Sequence, residues 1–148
     1  GILHRDLKPE NIVLRNAGTE DEVAMLIDFG VATVYEEILD GQQSTYFAGS
    51  LDYVAPEQVA GLKLEACDVF SMGAVCFEIL SGWRLKLALG ARESEGAILE
   101  RLQSAGVANA AAVAVVLVKA TAIEHSRRTA KINDFKNDLV EALSGQEP

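Results

Sequence analysis

His4-Arg5-Asp6-Leu7-Lys8-Pro9-Glu10-Asn11 sets an acid, a base and an amide within six residues, and the apolar run Ile12-Val13-Leu14 follows at once. Seventeen residues after Asn11 comes Asp28-Phe29-Gly30, directly behind a second apolar run, Val23-Ala24-Met25-Leu26-Ile27. Asn16-Ala17-Gly18-Thr19 and the triplet Glu20-Asp21-Glu22 lie between the runs, so the stretch reads as two short strands joined by a solvated turn. Such a hairpin returns Asp28 to the side of Asn11. A carboxylate and an amide carbonyl in one place are hard oxygen ligands, suited to Mg2+ held jointly with phosphate oxygens. Lys8 adds a point charge that can meet a phosphate. Asp6 leaves a carboxylate able to orient a hydroxyl and take its proton. Metal, phosphate and a base together point to phosphoryl transfer.

Outward from this core, residues 28–55 carry no clean period and contain Gly30, Gly41 and Gly49. Irregular stretches of that length are uncommon in compact domains and are usually functional. From Glu65 to Leu80 the pattern becomes helical, with Ala66, Val69, Phe70, Gly73, Val75, Phe77 and Leu80 small or apolar on nearly every side. That predicts a buried helix stopped at Gly82. Ser94 is placed to cap a helix through Leu102, and Ala108–Ala122 forms another. Ile132, Phe135, Leu139, Val140 and Leu143 mark an amphipathic last helix. The expected fold is mainly α with a short β-hairpin.

Composition bounds the alternatives. The chain has 148 residues, 49% hydrophobic and 24% charged, enough for one domain with its own core and too apolar for general disorder. Its longest wholly apolar run, Ala110–Val118, is far short of the ~20 residues that span a bilayer. The net charge is −9, and residues 1–57 hold only Arg5, Lys8 and Arg15 as basic residues against eleven acidic ones. No basic face is available to a nucleic acid. Cys67 and Cys76 stand nine positions apart on the predicted helix, roughly 13 Å along its axis. They cannot form a disulfide with each other, and two buried thiols suit a reducing compartment. The expected location is cytoplasmic, as a free chain or as the cytosolic domain of a membrane-anchored protein.

The residues quoted above resemble the protein kinases, whose catalytic loop reads H-R-D-L-x-x-x-N and whose metal loop reads D-F-G. Ala55-Pro56-Glu57 and Asp68-Val69-Phe70-Ser71-Met72-Gly73 continue the resemblance in the family's order. Lys8 with Pro9-Glu10 looks like the Ser/Thr branch. Gln58 and the close of the chain are similar to bacterial kinases of the eukaryotic-like type. The resemblance implies the C-terminal lobe of a kinase using ATP and Mg2+ (or Mn2+), with protein Ser/Thr hydroxyls as acceptors. Its parts would be a catalytic loop at 4–11, a metal loop at 28–30, an activation segment at 28–57, a helical remainder at 58–143 and a tail at 144–148. Asp6 would then be the base, Lys8 a phosphate contact, and Asn11 and Asp28 the metal ligands. Val13 would lie under the adenine and Ser50 would shape the acceptor site. Glu57 and Arg128 would form a buried ion pair, Asp68 would hold the backbone of the catalytic loop, and His4 and Phe29 would pack.

Two departures accompany the resemblance. No Lys or Arg occurs from Asp28 to Glu57, so a phosphate on Ser44 or Thr45 would meet Arg5 nearly alone. The expectation is that Glu36 or Glu37 partly replaces such a phosphate; loss of activity in an intact kinase with Ser44→Ala and Thr45→Ala would refute it. Secondly, the chain opens at Gly1, three residues before His4, and no G-x-G occurs among its twelve glycines. The family's N-terminal lobe is therefore expected upstream, the chain being a truncated product or gene fragment that is inactive in isolation. Two other classes share part of the pattern: a pseudokinase-type scaffold, and a small-molecule phosphotransferase of the aminoglycoside-kinase type. The intact Asp6, Lys8, Asn11 and Asp28 speak against the first, and Lys8 with the Gly49–Glu57 block against the second.

Overall fold

The computed structural model describes residues 3–28, 51–85 and 94–145. Phe29, Ser44, Thr45 and Ser50, with Glu36 and Glu37, lie outside them. After a 3-10 turn at Pro9–Asn11, the chain forms β1 (Ile12–Arg15) and β2 (Val23–Leu26). The strands are antiparallel, with Ile12 opposite Leu26 and Val13 opposite Met25. The Ile27 N–H donates to the backbone carbonyl of Asn11 at 2.9 Å, which brings the Asp28 end of the hairpin back to the Pro9–Asn11 turn. In the connecting turn the Glu22 carboxylate accepts the Gly18 N–H at 2.7 Å, and the acidic triplet is exposed to solvent.

Five helices follow among the described residues: α1 (Pro56–Val59), α2 (Glu65–Ser81), α3 (Glu95–Ser104), α4 (Ala110–Ala120) and α5 (Ile132–Ser144). The one-turn α1 has no apolar period from which it could be read. The α2 helix lies at the centre and packs against α3, α4 and α5. Val69, Phe70, Val75 and Phe77 are fully buried on its different sides, as an all-round apolar pattern requires, while Ile79 is 70% exposed. At Gly73 a Cβ would stand 2.9 Å from the Ala120 Cβ and 3.0 Å from the Thr121 Cγ2, so α2 and the end of α4 approach at glycine distance. Gly82 closes α2 with φ 74°, the left-handed conformation that glycine adopts without strain.

Several boundaries and exposures differ from the sequence expectation. Ser94 caps α3, its hydroxyl accepting the Ala97 N–H at 3.2 Å, but the helix runs on to Ser104. Helix α4 is shorter than 108–122 because Asn109 takes a left-handed φ of 53° and the chain leaves helical geometry at Thr121. Only one side of α4 is buried (Ala110, Val113, Ala114 and Leu117), and Val115 faces solvent. On α5, Phe135 and Ala142 are buried while Val140 and Leu143 are exposed, so the apolar stripe is rotated from its expected centre. The helix also includes Ser144, the first residue of the expected tail. Trp83 is 54% exposed and carries the Arg101 guanidinium 3.8 Å above its ring. Cys67 is buried, whereas Cys76 is only partly so.

Candidate active site

The site grows from the turn Pro9–Asn11. The Asn11 N–H donates to the Lys8 carbonyl at 3.0 Å, which folds the loop back so that Asn11 faces Asp6. The Asn11 side-chain Nδ2 donates to the Asp6 carbonyl at 2.8 Å and to the Asp6 Oδ2 at 2.9 Å. Both donors of the amide are thus occupied by Asp6, and the side-chain Oδ1 of Asn11 is left as an acceptor. The Lys8 Nζ stands 3.1 Å from the same Asp6 Oδ2, with both side chains partly open to solvent. Asp28 is exposed at the end of the hairpin, with a left-handed φ of 54°. Among the described residues no three His, Cys, Asp or Glu side chains converge. Val13 lies on β1 and is 44% exposed, and Leu14, Val23 and Met25 also face solvent.

A second layer of bonds holds this loop. The Asp68 carboxylate of α2 accepts the His4 N–H on Oδ2 and the Arg5 N–H on Oδ1, both at 2.8 Å. His4 is buried; its Nε2 lies 3.2 Å from the Ile27 carbonyl and its Nδ1 3.4 Å from the Asp6 N–H. A proton on Nε2 satisfies both contacts, linking the loop to the hairpin. Arg5 has a φ of 65°, uncommon for a residue with a side chain. Its carbonyl accepts a hydrogen bond at 2.5 Å from the buried side-chain Nε2 of Gln58.

Behind the loop, Arg128 reaches the Glu57 carboxylate with two nitrogens, Nη1–Oε1 at 2.5 Å and Nη2–Oε2 at 3.0 Å. Its remaining N–H groups donate to the carbonyls of Ala66, Ala122 and Ile123. Its guanidinium also sits 4.8 Å over the Phe70 ring. Burial alone would raise the Glu57 carboxyl, but the bonds and charge of Arg128 outweigh it and hold the group below its ordinary value. The Cys67 thiol, 3.3 Å from the Glu57 Oε1, is pushed up to about 11 by burial and by that carboxylate. The buried Tyr53 hydroxyl donates to the Glu78 Oε2 and ties the chain ahead of α1 to α2. Burial and then this bond raise the phenol.

The structure thus brings Asp6, Lys8 and Asn11 into direct contact and sets Asp28 at the adjacent hairpin end. Asp68, His4 and Arg5 meet beneath them, and Glu57 meets Arg128 farther back. Gln58 and Tyr53 received no role from sequence reasoning. Their partners stand 53 and 25 positions away, and no local period signals such pairs. The open groove lined by Glu95, Val115, Val118, Ile123 and Arg127 shares no residue with this site.

The family model of the protein kinase domain matches residues 1–143, and the chain belongs to that family. The serine/threonine-protein kinase PEPKR2 of Arabidopsis thaliana is 44% identical over 82 residues, 55% of this chain and 16% of that protein. The serine/threonine-protein kinase pkn3 of Myxococcus xanthus is 33% identical over 86 residues, again 55% of this chain and 16% of that protein. The matched part is thus less than a fifth of either relative. The crystal structure of the Mycobacterium tuberculosis PknI kinase domain has the same fold, with a TM-score of 0.65 and 23% identity. It covers 96% of this chain and 47% of that one. Relatives of both eukaryotic and bacterial origin bear Ser/Thr kinase names, and the match is to protein kinases rather than to small-molecule phosphotransferases. Among the described residues no helix is long and apolar enough to cross a membrane.

Proposed function

We propose that a protein containing this chain transfers the γ-phosphoryl group of ATP to Ser or Thr hydroxyls of proteins, and that the chain supplies the catalytic loop and the acceptor side of the site. The observation that carries this reading is the pair of hydrogen bonds that the Asn11 amide donates to Asp6, with Lys8 on the same carboxylate oxygen. These contacts orient the Asp6 carboxylate so that its other oxygen can accept a proton from an acceptor hydroxyl. Lys8 stands where it can exchange its contact with Asp6 for one with a phosphate oxygen and offset charge there. The side-chain Oδ1 of Asn11 and the carboxylate of Asp28 would hold Mg2+, which when bound neutralises charge on the phosphates. The exposed Val13 would offer an apolar contact to the adenine. A scaffold without chemistry has no need for all four polar residues.

The test is Asp6→Asn in an intact kinase that contains this chain. The substitution keeps the size and the Asn11 contact but removes the proton acceptor. A fall in kcat of about 10²–10⁴ with little change in KM for ATP is expected. Unaltered phosphorylation of Ser/Thr peptides by that variant would refute the reading. Transfer to an aminoglycoside and not to a peptide would replace it with small-molecule chemistry.

A further inference from the structure

We propose that Gln58 is a positioning residue for Asp6: its side-chain amide fixes the peptide between Arg5 and Asp6 and thereby aims the Asp6 carboxylate. This rests on the role proposed above for Asp6. Gln58 is 4% exposed, and its Nε2 donates to the Arg5 carbonyl at 2.5 Å. Its Oε1 is buried without a hydrogen-bond partner. An unpaired buried acceptor is destabilising, so the bond to Arg5 is the polar contact that this side chain supplies.

That bond falls on a strained point. A left-handed φ at a residue with a side chain persists only when the surroundings over-determine it. At Arg5 the N–H side is held by Asp68 and the carbonyl side by Gln58. The other end of the same peptide, the Asp6 N–H, makes a longer bond of 3.4 Å to the His4 Nδ1, so the 2.5 Å contact from Gln58 is the tighter hold on its plane. The close contact that fixes the rotation of this peptide is therefore Gln58. The donor stands on firm ground, because Gln58 directly follows Glu57 and that carboxylate is gripped by Arg128. Gln58 thus couples the start of α1 to the direction of the Asp6 side chain. Misplacement of a reacting group by about 1 Å can cost 10²-fold in rate.

Two variants, Gln58→Met and Gln58→Glu, test this in two readouts. In the 148-residue chain, backbone NMR shifts at Arg5 report its left-handed φ. Both variants are expected to shift Arg5 and Asp6 away from that signature while Val69–Phe77 of α2 stay as in the unmodified chain. In an intact kinase containing the chain, kcat is expected to fall about 10- to 100-fold with KM for ATP unchanged. Should Gln58→Met fail to fold, Gln58→Glu has the size of glutamine and gives the same two readouts. Arg5 keeping its left-handed signature in the variants, kcat unchanged, or equal shifts throughout α2 would each overturn the proposal. If the unmodified kinase transfers no phosphate, the proposed function fails, and the Arg5 signature still decides whether Gln58 holds this peptide.

Discussion

Arg128 closes on Glu57 across 71 positions of chain, two nitrogens facing two carboxylate oxygens in the interior. The guanidinium has its other N–H groups on backbone carbonyls, so its charge is fully engaged. Removing one partner of such a pair strands the other in a medium of low polarity. Glu57→Gln or Arg128→Met is expected to destabilise the chain by about 3–5 kcal/mol in urea unfolding, and the double variant by less than the sum. A loss below about 1 kcal/mol in both single variants would show that the pair is not what holds α1 to the helical body.

The same pair gives a pH dependence. The Glu57 carboxyl is held below its ordinary value in the folded chain, so the unfolded chain takes up that proton first as acid is added. The stabilisation from Glu57 is complete above the ordinary glutamate range of ~4.3 and is lost as pH falls through the lowered folded value. In urea titrations the advantage of the unmodified chain over Glu57→Gln should shrink as pH falls below the ordinary glutamate range of ~4.3. A constant difference over that range would contradict the assignment.

At Gly73 the helices α2 and α4 meet with no room for a methyl group. Gly73→Ala would press a Cβ onto Ala120 and Thr121 and is expected to cost about 1–3 kcal/mol. Pairing it with Ala120→Gly removes the nearer clash and should recover part of that loss. Thermal unfolding of the three variants checks this, and an unchanged midpoint for Gly73→Ala would mean that the helices part without penalty.

Asp68 accepts the backbone N–H groups of His4 and Arg5 with its two oxygens. In Asp68→Asn the charge is gone and one NH2 faces an N–H. With bonds to charged groups worth about 1.5–3 kcal/mol each, at least one such contribution should be lost. Amide hydrogen exchange at His4 and Arg5 should accelerate more than that of the α4 core; equal protection in both chains would remove Asp68 from this role.

Both thiols are pushed up to about 11, in each case chiefly by burial. Thiolate is the reactive form, so neither cysteine should react appreciably with a disulfide reagent in the folded chain near pH 8. Two equivalents should appear on adding denaturant. Rapid labelling of one thiol in the native chain would show that its surroundings open readily.

Much of this architecture is legible in the sequence because its signals are local. The two short apolar runs around the Asn16–Thr19 turn, the all-round apolar character of residues 65–80 and the Ser94 cap each act within a few residues. The boundaries that went astray have local explanations of another kind. Asn109 enters a left-handed conformation that composition does not announce, and α1 is too short to show any period. Trp83 stands exposed after the helix-ending Gly82, with the Arg101 cation over its face, a pairing that no local pattern announces.

For the site the division is sharper. The order and spacing of Asp6, Lys8, Asn11 and Asp28 by themselves determined which chemical groups the hairpin gathers. Their residue types and their distance along the chain leave few other ways to place them. What only the tertiary structure decided is how those groups are held: Asp68 under the His4 and Arg5 amides, and Gln58 on the carbonyl of a left-handed Arg5. These contacts join positions more than fifty residues apart. A hydrogen bond depends on angles and tenths of an ångström that arise only when distant helices have packed. No periodicity or composition encodes it, so the aim of the Asp6 carboxylate is a property of the folded chain.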